Sequence, residues 1–252
     1  MIDQNGDPVP DAKIVYGATD KFDADGSNYH GKSDADGNFS ISGIKGVVLT
    51  VGVAKAGYYH IHGKSNGAFA YAMDADSQTR PPPTKENPAI FLLQKMGATE
   101  PLIKVESGLR ISRNGAPVEI SLATGRLKTP GDFRVEAWTH DETPDAKGHY
   151  DWRCRVSVPN GGLVERTGQF DFQAPQDGYK SSDEIKMPVT AKEWHPACER
   201  SYFIRLSDGR YARVQFEMIA GGNHYFQIEA YLNPAPGSRN LEFDPEKQVK
   251  AR

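Results

Sequence analysis

Residues 5–16 read NGDPVPDAKIVY, residues 33–41 read SDADGNFSI and residues 43–59 read GIKGVVLTVGVAKAGYY; these three runs decide the fold. Asn5-Gly6 is a tight-turn pair, because both residues tolerate positive φ, and Pro8 and Pro10 preset an extended entry to the next segment. Ala12, Ile14 and Tyr16 alternate with Lys13 and Val15, the period of a half-buried strand. Asp34, Asp36 and Gly37 predict a hairpin loop, with Phe39 and Ile41 beginning the return strand. Val47 to Ala54 is β-branched at nearly every position, which suits a strand covered on both faces.

Beyond these runs, 252 residues allow one or two domains with two separate cores. Gly 25, Pro 17 and 10% aromatic residues, without long helical periodicity, predict a loop-rich all-β protein. A net charge of −3 supplies no basic footprint for nucleic acid. No apolar run approaches the roughly 20 residues of a transmembrane span. Residues 74–88, DADSQTRPPPTKENP, form a polar, proline-rich loop, and 89–94, AIFLLQ, a short strand that would complete a first sandwich. MGATEP, 96–101, reads as a linker.

The order of those opening motifs resembles the carboxypeptidase regulatory-like, transthyretin-like domain family over about residues 1–97. The resemblance implies a β-sandwich used as a non-catalytic module in secreted bacterial proteins. That family has a full strand before its Asn-Gly turn, so upstream residues, a signal sequence among them, are expected to have been removed. The implied compartment is periplasm, cell surface or outside.

Residues 98–245 predict a second, jelly-roll-like sandwich of about eight strands, followed by a charged tail at 246–252. Its clearest part is a meander: 202–206, SDGR, 211–219, AGGN, 224–232. Val214, Phe216 and Met218 share one face, as do Phe226, Ile228, Ala230 and Leu232, while Arg213, Gln215 and Glu217 face water. Strands are also expected at 133–138 and 152–158. The ending YLNPAPGSRNLEFD resembles the close of accessory β-domains of secreted bacterial proteins. The expected fold is therefore all-β, two sandwiches in series.

Four constellations carry candidate chemistry. The three tryptophans lie among polar residues in 98–245. Trp138, His140, Tyr150, Trp152 and Trp194 would form a sugar-binding face, rings stacking on C–H groups while His140, Asp141, Glu142, His149, Asp151 and His195 bond hydroxyls. The other reading of the tryptophans is core, with THDETPDAKGHYD as a solvated loop. Cys154 and Cys198, about 44 residues apart, are either one disulfide or two buried thiols.

His60-Ile61-His62 is either a solvated HxH at a strand end or, if it continues a strand, two imidazoles on one side within reach of one metal. The motif order also resembles intradiol ring-cleaving dioxygenases, in which Tyr29, His60 and His62 would stand for ferric-iron ligands. That family's second tyrosine falls about thirteen residues before His60, where Val47 and Val48 stand here. The Asp-Ala-Asp-Gly runs at 23–26 and 34–37 look like half calcium loops but lack the twelfth-position glutamate, the places falling on Asp34 and Lys45. Hairpin turns are the expected use, with at most a weakly held ion at the first. No cofactor is expected otherwise, and the expected partner is a polysaccharide or another surface protein.

Overall fold

The structure is a computed structural model describing residues 1–19, 28–71, 79–222 and 224–250. It is nearly all β, with no α-helix among the described residues and a single 3-10 turn at Pro245–Lys247. The chain divides into two compact units, Met1–Gly97 and Ala98–Arg252.

Among its described residues the first unit holds seven strands: β1 Ile2–Asp3, β2 Lys13–Thr19, β3 Tyr29–Lys32, β4 Val48–Ala54, β5 Tyr58–His60, β6 Asn66–Ala70 and β7 Leu92–Lys95. They make a four-stranded sheet, β3-β2-β4-β6, and a three-stranded sheet, β1-β7-β5. Val9, Ile14, Val51, Val53, Phe69, Phe91 and Leu93 are buried in one cluster. The opening turn forms as its residues demand. Asp3 accepts the amides of Asn5 and Asp7 at 2.8 and 3.1 Å, and Gly6 takes φ +86°. Buried Ser33 ties the next connection by donating to Val9 O at 2.7 Å and accepting the Ala12 amide at 2.9 Å.

Two local expectations are corrected. Phe39 and Ile41 belong to no strand, yet both pack on this core, Phe39 with its ring 5.7 Å from that of Phe91. β4 is covered on one face only: Leu49, Val51 and Val53 are buried, whereas Thr50 and Ala54 are exposed. Thr50, β-branched but polar, and Gly52, without a side chain, stand on the face turned away from the core.

Among its described residues the second unit has nine strands: β8 Ile103–Arg110, β9 Val118–Ile120, β10 Phe133–Thr139, β11 Trp152–Ser157, β12 Gly162–Glu165, β13 Ser182–Met187, β14 Ala197–Arg205, β15 Tyr211–Ile219 and β16 Tyr225–Leu232. Sheets β13-β11-β10-β9 and β12-β14-β15-β16-β8 face each other across one core. Two facing sheets are what a jelly-roll-like sandwich requires; within them, sequence neighbours pair as meanders, β9-β10-β11 and β14-β15-β16.

The alternation read from 211–232 holds. Val214, Phe216, Met218, Phe226, Ile228, Ala230 and Leu232 are buried, each worth roughly 1–3 kcal/mol for the larger side chains. A smaller cluster, Leu102, Ala174, Phe203, Tyr211 and Leu241, forms under the connections that cover part of the outer face of the five-stranded sheet. Beyond 245 the chain is not a free charged tail, since the Val249 amide bonds Leu102 O at 3.0 Å and its side chain packs on the main core.

Candidate functional site

Strand pairing brings four connections of the second unit to one end of its sandwich: 111–117, 140–151, 188–196 and 220–224. The registers Thr139 with Trp152, Trp152 with Met187, Ala197 with Ile219 and Tyr225 with Arg110 fix that end. Hydrogen bonds then lace the connections together. Ile111 N donates to His224 O, Thr139 N to Arg113 O, Ala220 N to Pro196 O, and Val189 N to the Asp151 carboxylate at 2.7 Å. Four of the seven histidines lie in these connections, and all three tryptophans lie in them or at the strand ends they join. Loops held on a rigid sandwich in this way are a usual seat of binding sites.

Of the five aromatic and imidazole residues expected to share one face, Trp138, His140 and Trp152 border one cavity, whereas Tyr150 and Trp194 do not. Trp152, only 2% exposed, points into the core and donates its indole N–H to His195 O at 3.0 Å. Tyr150 is buried too, and its phenol is pushed above the usual value, first by burial and then by the Asp141 charge. Trp194 is half-buried; its N–H bonds Tyr150 O at 2.9 Å, its ring meets the Tyr150 ring edge-on at 5.0 Å, and His149 stacks on it at 4.6 Å. This trio closes the end of the core.

Trp138 does the opposite. It is out of phase with buried Phe133, Val135 and Ala137, so it stands half-exposed on the outer face of the four-stranded sheet. The Arg153 guanidinium lies 4.3 Å from its ring centroid and that of Arg155 5.7 Å. Arg153 is itself held by Glu184 at 3.0 Å. Gly115 lets the indole edge sit against backbone, because a Cβ there would come 2.3 Å from Trp138 Nε1. Trp138 and His140, with Asp151, Arg153, Lys186 and Met187, line a shallow cavity of about 330 Å³. Its chemistry is an aromatic surface ringed by two cations, an imidazole and a carboxylate.

Sequence reading missed the pairing of His224 with Asp141 and Arg113 at the same end of the sandwich. His224 is 3% exposed, with Nε2 3.4 Å from Asp141 Oδ2, and Asp141 is bound at 2.7 Å by Arg113. Among the described residues neither ring nitrogen of His224 has a hydrogen-bond partner, nor does the buried Thr139 hydroxyl. Burial, and after it the Arg113 charge, lower the His224 pKa despite Asp141, so the ring is neutral at neutral pH and the 3.4 Å approach is not a charged pair. Nothing in AGGNH beyond a turn signal marks this histidine.

The other sequence-predicted residues lie apart. β5 ends at His60, and His62 sits in the turn after it, so strand alternation does not carry both imidazoles to one side. Ser65 draws this turn, accepting the Ile61 amide at 2.8 Å and donating to Leu92 O. Tyr29 is in the other sheet, stacked on Tyr16 at 5.5 Å. No group of three or more His, Cys, Asp or Glu side chains among the described residues is arranged to hold a metal ion. Asp34 caps its own turn, accepting the amides of Asp36 and Asn38 at 3.0 and 2.7 Å. The run 23–26 lies outside the described residues. Cys154 and Cys198 are free thiols, both buried in the core of the second unit.

No helix among the described residues is long and apolar enough to cross a membrane. No protein-family model matches the chain, and no curated protein or solved structure is significantly similar to it.

Proposed function

We propose that the protein is a non-enzymatic binding module that takes a carbohydrate at the loop end of its second unit. The observation behind this reading is Trp138: a large aromatic turned out of the core, braced by Gly115, at the wall of a cavity that also presents His140, Asp151, Arg153 and Lys186. Sugars offer C–H faces to an aromatic surface and hydroxyls to such polar groups. Arg153 and Lys186 favour a glycan bearing carboxylate or sulfate over a neutral one. In the same reading the protein is exported, and its first unit is a carboxypeptidase regulatory-like scaffold, supported by the order of the NGDPVP and SDADG turns.

Affinity electrophoresis through gels containing soluble neutral or acidic polysaccharides tests this. The expected result is retardation by an acidic polysaccharide, weakened at least about tenfold in Trp138→Ala, the equivalent of about 1.4 kcal/mol. Migration unaffected by every polysaccharide, or equal retardation of Trp138→Ala, overturns the reading.

A further inference from the structure

The two cysteines come from opposite layers of the second unit. Cys154 lies on β11 between Ala137 and Ile185, and Cys198 lies on β14 beside Met218. Both side chains enter the one core between the sheets. They enter it at neighbouring levels: Trp152, two residues before Cys154, donates its indole N–H to His195 O, three residues before Cys198. We infer that Cys154 and Cys198 are the two ends of a cross-sheet disulfide, a modification site that joins the four-stranded to the five-stranded sheet when the protein meets a disulfide oxidant.

The surroundings assign the order of events. Cys198 is 9% exposed and Cys154 is 0% exposed, so the oxidant reaches Cys198 first. The Cys198 thiolate attacks one sulfur of a low-molecular-weight disulfide and releases a thiolate, which takes up the proton Cys198 lost. Cys154 then gives up its proton, attacks the Cys198 sulfur and releases the second thiolate, which takes that proton. Two protein thiols lose two electrons, one S–S bond forms, and the external disulfide becomes two thiols. Closing a loop of this length restricts the unfolded chain.

This inference stands independently of carbohydrate binding. The test incubates the full chain with oxidised glutathione, denatures it, alkylates with iodoacetamide and weighs it. The expected product is a monomer lighter by two hydrogens with neither cysteine alkylated, and a melting temperature raised by on the order of 10 °C over the reduced form. Cys198→Ala should show neither change, and Cys154→Val should trap one glutathione on Cys198. Should either variant fold poorly, oxidised and reduced wild type decide the matter alone. Two alkylated cysteines after oxidation, a disulfide-linked dimer, or glutathione retained on wild-type Cys198 would overturn the inference.

Discussion

Trp138 and Trp152 sit one strand apart and have opposite fates, and the difference is a matter of phase. In FRVEAW, Phe133, Val135 and Ala137 set the buried phase, which leaves Trp138 with Arg134 and Glu136 on the wet face. In WRCRVS, Trp152 is in phase with Cys154 and Val156 and goes to the core. The alternation was legible, but grouping the tryptophans by nearness in sequence hid it. Trp152→Ala should destabilise the second unit by about 3–5 kcal/mol in denaturant melts, whereas Trp138→Ala should cost far less stability. Gly115→Ala places a Cβ where the indole edge lies, at a φ of +83°. Its expected signature is a red-shifted tryptophan emission and weakened polysaccharide binding in a chain that still folds; unchanged fluorescence would contradict the bracing role.

Among the elements, the β15–β16 hairpin carries a pH dependence. His224 sits in it at φ +43°, with Asp141 and Arg113 as the charged groups that act on it. Its folded pKa lies below the ordinary histidine value of 6.5, so the unfolded chain binds the proton more readily. The contribution to stability is therefore complete above about pH 6.5 and is lost as pH falls through that value toward the folded pKa. The slope of melting temperature against pH should flatten in His224→Asn, a residue that tolerates positive φ; an equal slope in both proteins would refute the assignment.

Hairpins and meanders of this kind were readable because turn residues and period-2 patterns are local. At the HxH run the solvated pair at a strand end is what forms, with His60 and His62 both exposed. Three residues look like a strand, but Ser65, bonding Ile61 and Leu92, bends the chain before His62. Likewise His224 became a buried partner of Asp141 through a loop contact that no spacing encodes.

For the whole molecule, the compact units part between Gly97 and Ala98, inside the run MGATEP. The main cores are built within one unit each, around Phe91 and Leu93 in the first and around Phe216 and Phe226 in the second. A chain of residues 98–252 alone should accordingly unfold in one cooperative transition by circular dichroism; a broad, non-cooperative melt would contradict that independence. The convergence of four distant connections was not legible beforehand, since it rests on sheet pairing between residues as far apart as Arg110 and Tyr225.

Whether a glycan sits at the loop end of the second unit is decided by hydrogen exchange, read by mass spectrometry, on the full chain with and without a saturating acidic polysaccharide. Protection confined to peptides covering 113–115, 138–153 and 186–196 is the predicted result, with residues 1–97 unchanged. Protection located in 1–97, or none anywhere, would contradict a binding site at that end.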